Sequence, residues 1–377
     1  MTDIDGEVIG GVDAHTDAHV AAALDRRGHL LGTKSFATTP AGYRQLRLWL
    51  ESFGRVALVG VESTGAYAAG LVRELRAASI RVAEVNRPHA HTRRRRGKND
   101  PIDAEMAARH ALSGSAHVEP KATDGIVEAI RQLRLARHSA VKARSAALCQ
   151  LSEMTVTVPD ELREQLRTRK TTQGRATLCR RLRPDSTRLH EPDQAARLAL
   201  RSIGRRIAEL DQEIAKLDDA LKPLVATAAP RTTSLLAIST GHAGQLLVTA
   251  GENIERLRSD GAFAALCGAS PIPASSGRTN RHRLNYGGDR DANRALHMIA
   301  VCRLRYCLKT KAYAERRAAE GKTKNEIIRC LKRYIAREVF NALRDDLADV
   351  ARRPPAATTL ITIHCGAGPI GRTRRRP

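Results

Sequence analysis

The sequence predicts an α/β layer followed by an all-α remainder, and three observations carry that prediction. Three strand-like runs in succession give way to alternating helix-like and strand-like runs within the first 86 residues. Beyond about residue 125 the apolar residues fall at helical spacing, and Leu200, Ile203, Ile207, Leu210, Ile214, Leu217 and Leu221 alternate steps of three and four. Charge divides the chain as well: residues 1–90 hold ten acids and ten bases, so the whole net charge of +24 lies after them. A near-neutral body joined to a strongly basic remainder suits a polyanionic partner, nucleic acid above all. At 377 residues there is room for two or three domains of about 150 residues. The 42% hydrophobic content supports real cores, and the 3% aromatic content makes their packing aliphatic.

The elements follow in order. VIGGVDAHTDAHVAAAL (Val8 to Leu24) reads as a strand, a tight turn near His15–Asp17 and a second strand. LLGTKSFAT is a third strand after the turn DRRGH, and Thr39-Pro40 opens a helix through Leu50 with Pro40 in its first turn. VALVGVEST (Val56 to Thr64) is a continuous apolar run of the kind that buries a strand on both faces. A helix over about 66–78 and the strand RVAEVN complete a pattern that resembles the ribonuclease-H fold, though sugar-kinase and actin-like ATPase folds open in the same order. Asp100 and Pro101 read as N-cap and N1 of a helix ending near Leu112, and SGSAHVEPKATDG is a linker. A long helix over about 125–154 ends before Pro159, and a polar, arginine-rich stretch continues to about residue 192. The seam from Leu200, closed by Pro223, either packs on the 125–154 helix or forms a coiled coil between protomers. Helices near 240–250, 259–267, 291–308 and 323–346 surround the loop PIPASSGRTNRHRLNYGGDRD. The expected division is 1–115 for the α/β domain, 116–228 for a coiled-coil helical linker, 229–350 for a helical C-terminal domain, and 351–377 for a disordered basic tail.

Several function classes lose their markers. The seven cysteines contain no C-x-x-C, which excludes the usual zinc and disulfide patterns and suits reduced thiols in the cytoplasm. No run approaches ~18 apolar residues and no signal-peptide pattern opens the chain, so no membrane role is expected. No Walker A string occurs.

Four carboxylates carry the candidate chemistry: Asp13 in the first strand, Glu62 near the end of a buried strand, and Asp100 and Asp103 three apart at a helix start. Capping and the helix dipole account for Asp100 and Asp103 taken alone. Glu62 and Asp13 in apolar strands are harder to explain, because burying an unpaired carboxylate is costly. Ligands gather at strand ends in α/β sheets, and hard oxygen donors suit Mg²⁺ or Mn²⁺, which can act on a phosphodiester. Arg93, Arg94, Arg95, Arg96 and Lys98 stand directly before the acidic pair as phosphate contacts. Ser275 and Ser276 lie in a loop followed by Arg278, Arg281 and Arg283, bases that can hold a phosphate and stabilise an oxyanion. A serine-glycine pair is ordinarily a turn, and the group that would activate the serine is not visible in the sequence.

These strings resemble a known family. GVDAHTDAHVAAALD, VESTGAY and GKNDPIDAEMAAR resemble the three acidic motifs of the DEDD transposases of the insertion-sequence one-ten family. GASPIPASSG and ANRALHMIA resemble its C-terminal transposase domain, although LLAISTGHAGQLL lacks the proline of the family's helix-hairpin-helix turn. The resemblance implies a RuvC-like domain in which Asp13, Glu62, Asp100 and Asp103 bind divalent metal. It implies a serine, by motif position Ser276, that forms a covalent phosphoserine link to DNA. It further implies DNA partners at element ends and target, a guide RNA from the element's flank, and a dimer or tetramer whose active sites combine domains of different protomers. Such an enzyme works in the cytoplasm, at the nucleoid. Three rivals remain at this point: a RuvC-like junction nuclease that uses water, a sugar-kinase-like ATPase, and a non-enzymatic nucleic-acid scaffold.

Overall fold

The computed structural model describes residues 6–62, 67–85, 99–114, 118–123, 125–275 and 282–352. Strands β1 (Glu7–Ala14), β2 (Ala18–Leu24), β3 (Leu30–Ala37), β4 (Arg55–Glu62) and β5 (Val82–Val85) form one sheet in the order β3-β2-β1-β4-β5. The first three run as an antiparallel meander, and β4 and β5 lie parallel to β1 and to each other. Helices α1 (Pro40–Glu51) and α2 (Ala69–Ala77) cover one face, where Leu46, Leu50, Leu71 and Leu75 pack on Val12, Val59 and Val61. The remainder is helical, so the predicted class of a mixed sheet with an α-helical continuation is the observed one.

The opposite face holds α3 (Asp100–Leu112), and here the sequence dictates an unusually close approach. A Cβ on Gly11 would lie 2.2 Å from both Ala104 O and Ala108 N, and one on Gly60 would lie 2.5 Å from Ala107 O. The helix in turn presents Ala104, Ala107, Ala108 and Ala111 to the sheet, all buried. Glycine against alanine lets two main chains nearly touch, which sets the N-terminal turn of α3 beside the carboxyl end of β1.

Two long helices follow, α4 (Ile126–Thr157) and α7 (Pro192–Ala228), which pack against each other within the chain. At one end of the pair, Ala147, Leu151, Leu200, Ile203 and Ile207 share a core with α5 (Asp160–Arg167) and α6 (Thr172–Cys179). At the other end, Val127, Ile130, Leu221 and Val225 enter a larger core. That core belongs to α9 (Thr240–Ala250), α10 (Asp260–Leu266), α11 (Arg290–Tyr306) and α13 (Lys324–Arg352); α8 (Pro230–Ser234) precedes it, and α12 (Leu308–Ala319) packs on its edge through Tyr313 and Ala314. A short segment ties the sheet to these helices. Val118 bridges Glu84, Arg76 donates to Pro120 O, and Lys121 Nζ donates to Val248 O. No helix among the described residues is long and apolar enough to cross a membrane.

Four sequence expectations need correction. Pro223 does not close the α7 seam: the helix continues to Ala228, because burying Val225 and Ala228 offsets the one main-chain bond that proline forfeits. The arginine-rich stretch before residue 192 contains α5 and α6, which bury Leu162 and Leu166, and Ala176 and Cys179. A separate helix, α12, follows α11; none of its residues is fully buried, which leaves it without a sharp apolar stripe. Asp100 is the first helical residue of α3, and Asn99, in extended conformation, is its N-cap.

Candidate metal centre

Asp13 is the penultimate residue of β1 and is buried to 7% exposure. It lies two residues beyond Gly11, on the face that α3 covers, because side chains alternate along a strand. His15 follows by the same step of two. Its Nε2 lies 3.0 Å from Asp13 Oδ2 and 3.6 Å from Asp100 Oδ1. One ligand atom from each of Asp13, His15 and Asp100 lies within 4.8 Å of the others.

The one-residue shift of the cap has a chemical consequence. With Asn99 as N-cap, the Asp100 carboxylate is half exposed and meets His15 instead of closing its own helix turn. Asp103, one turn on, is buried at 4% exposure. Burial raises the Asp13 pKa, His15 opposes the rise through charge and a hydrogen bond, and the charges of Asp103 and then Asp100 add to it. These acids therefore share one electrostatic environment. Glu62 ends β4, one residue past the Val12–Val61 register pair, and so neighbours Asp13 across the parallel strands. It is partly buried and falls outside the 4.8 Å group, as does Asp103.

The donor set fits a divalent cation. Two carboxylates and an imidazole converge, with a third carboxylate charge close enough to act on Asp13, and a concentrated positive charge relieves the repulsion among them. His15 is the residue that sequence reasoning passed over, having placed it in a turn. The spacing Asp-x-His at the end of a strand was the available signal, since it sets both side chains on one face.

The other sequence-predicted residues are distributed differently. Arg93, Arg94, Arg95, Arg96, Lys98, Ser276, Arg278 and Arg281 lie outside the described residues. Ser275 is exposed at the end of the segment that leaves β6 (Ile272–Pro273), and Arg283 is exposed in β7 (His282–Arg283), which pairs with β6.

Two family models match the chain. Residues 10–158 match the model of the DEDD transposases of IS110, described as transposase. Residues 230–315 match a second model, described as transposase of the IS116/IS110/IS902 family. The two stretches together span more than half of the chain, in the order that the acidic motifs and the serine loop have in the sequence. No curated protein matches the chain. The chain is a member of the IS110 family of transposases.

Proposed function

We propose that this transposase cuts and rejoins DNA through a covalent phosphoserine at Ser276, with Asp13, Glu62, Asp100 and Asp103 as a Mg²⁺ or Mn²⁺ site that His15 completes. The meeting of Asp13, His15 and Asp100 carries the reading. Carboxylates at the ends of adjacent parallel strands, beside a helix start, suit a phosphate-transfer centre better than a structural role. A bound divalent ion supplies Lewis acidity toward a phosphate oxygen and compensates the acids. Asp13, buried at the strand end, is the fixed anchor. Asp100 reaches in from the more exposed side.

In the proposed step Ser276 Oγ attacks phosphorus, the bond to one bridging oxygen breaks, and that oxygen leaves as a hydroxyl while the serine loses its proton. The phosphoserine keeps the linkage energy, so a DNA hydroxyl can reverse the step on a new partner without nucleotide hydrolysis. Arg278, Arg281 and Arg283 next to the serine, and Arg93–Arg96 with Lys98 next to the acids, hold phosphates in this reading. The family resemblance supports an RNA from the element's flank as the guide to target and donor. It also supports a dimer or tetramer, with the long α4–α7 pair as a surface for assembly.

Incubating the protein with Mg²⁺ and element-end DNA, then resolving the products on a denaturing gel, tests the serine. Ser276→Ala is expected to abolish the protein–DNA adduct and retain DNA binding. An adduct that survives Ser276→Ala but vanishes in Ser275→Ala overturns the choice of serine. Free 5′-phosphate ends with no adduct at any time replace strand transfer with hydrolysis by water.

A further inference from the structure

The segment that carries the serines leaves and re-enters the helical core at a single point. Gly268 and Gly288 both have positive φ, +61° and +82°. A Cβ on Gly268 would lie 2.5 Å from Gly287 O, and one on Gly288 would lie 2.6 Å from Gly268 N and from Leu266 O. Asp289 N donates to Leu266 O at 2.7 Å. The outgoing and returning chains are therefore in main-chain contact at their root, and only glycine fits there. Farther out, Ile272 and Pro273 pair with Arg283 and His282, and Asn285 Nδ2 donates to Ser270 Oγ at 3.0 Å.

One side chain grips this root from the core. Asn293, in the first turn of α11, donates through Nδ2 to Cys267 O at 2.9 Å and to Gly268 O at 2.8 Å. Its Oδ1 accepts from Lys332 Nζ at 2.9 Å. Lys332 sits on α13 at 5% exposure, and no carboxylate pairs with it among the described residues. The charges that bear on it, Arg290 and Arg329, are both cationic. An ammonium buried in this way is a stability cost. It does have one specific effect: lysine only donates, so Asn293 must turn Oδ1 toward it and the amide NH₂ toward the two carbonyls. The lysine thereby fixes which way the asparagine faces.

We infer that Asn293 and Lys332 are positioning residues for strand transfer, a pair that sets the angle at which the paired strands β6 and β7, which flank the serines in sequence, leave the α10–α11 corner. The inference rests on the phosphoserine reading for its catalytic consequence, and on the contacts alone for its geometric one. Asn293→Asp replaces the NH₂ with an oxygen facing two carbonyl oxygens, while its new charge pairs with Lys332 and keeps the core folded. Lys332→Met removes the buried cation and releases the amide.

The test uses the full chain. Each variant is expected to form the DNA adduct about 10- to 100-fold more slowly, the scale of a misplacement near 1 Å, with DNA affinity within about threefold of wild type. The Tm of Lys332→Met is expected to be equal to or above that of wild type, since an unpaired buried charge is gone. Hydrogen exchange of amides at 269–275 and 282–286 should quicken in both variants, with exchange in the rest of the helical core unchanged. Adduct formation at the wild-type rate in both variants overturns the inference. So does a fall in rate that tracks a fall in Tm, which would mark a merely structural pair. If wild type forms no adduct, the phosphoserine reading fails separately, and hydrogen exchange still decides the geometry: unchanged exchange at the hairpin overturns the pair's role.

Discussion

Replacing Gly11 with alanine tests whether main-chain contact between β1 and α3 builds the candidate metal centre. The new Cβ would lie 2.2 Å from Ala104 O and Ala108 N, whereas ordinary contact begins near 3.4 Å. Both obstacles are backbone atoms, so no rotamer change relieves them. The helix must withdraw by roughly 1 Å, because a close-packed interior has no slack to absorb the methyl group. Overpacking costs about 1–3 kcal/mol, and a clash with fixed backbone belongs at the upper end. At ~2–4 °C per kcal/mol, the melting temperature should fall by about 6–12 °C. The same withdrawal carries Asp100 and Asp103 away from Asp13 and His15. Adduct formation should then drop by about 100-fold, as expected for misplacement on this scale. Gly32→Ala is the control, since its Cβ would meet nothing closer than 3.4 Å. Differential scanning calorimetry with and without Mn²⁺ reads the stability and the metal-induced shift, and a denaturing gel reads the adduct. A Gly11→Ala protein that melts within 2 °C of wild type and keeps its Mn²⁺-induced shift refutes the reasoning.

Other outcomes follow from the same physics. Mn²⁺ or Mg²⁺ at 100 times its dissociation constant should stabilise the protein by about 2.7 kcal/mol; Asp13→Asn should abolish that shift, and isothermal titration should show His15→Ala losing more Mn²⁺ than Mg²⁺ affinity. Asp346, 1% exposed, accepts from Arg231 N, Thr232 N and Thr232 Oγ1 at 2.9–3.0 Å, so Asp346→Ala should cost about 3 kcal/mol in a denaturant titration. His19 is fully buried and stacked on Tyr43, and burial lowers its pKa from the usual 6.5. The folded ring therefore stays neutral where the unfolded ring gains a proton. Stability should hold above pH 6.5 and fall below it by up to about 1.4 kcal/mol per pH unit until the folded pKa is reached, and His19→Phe should remove that slope.

The sheet was legible because each of its signals is local. Alternation in Val8–Leu24, the glycine turn before Leu30 and the apolar run at β4 each specify a strand without help from the rest of the chain. Helices α5 and α6 were not legible for the opposite reason. Their sequences, DELREQLR and TQGRATLC, bury two residues each, and those residues find a core only because Leu151, Leu200 and Ile207 come from helices distant in sequence. The Pro223 error has the same origin, since local propensity gave way to the tertiary burial of Val225 and Ala228.

At the candidate site the acids were legible by type, but the reason they meet was not. Nothing in a motif says that Gly11 and Gly60 must face an alanine-lined helix, yet that pairing brings Asp100 to His15. Nor does a motif fix the cap. Asp100 looks like an N-cap in sequence, and had it been one, its carboxylate would have been spent on its own helix turn. Asn99 stands at the N-cap position in extended backbone, without a side-chain cap bond, and leaves the Asp100 carboxylate available to the candidate metal centre. The cap therefore acts on the chemistry as well as on the helix, and Asn99→Gly probes it. Glycine is itself a tolerated cap and costs only a few tenths of a kcal/mol there, so the fold should survive. If the cap then moves to Asp100, metal affinity should fall while the melting temperature barely changes. Unaltered Mn²⁺ binding in Asn99→Gly would show that the two roles of Asp100 do not compete.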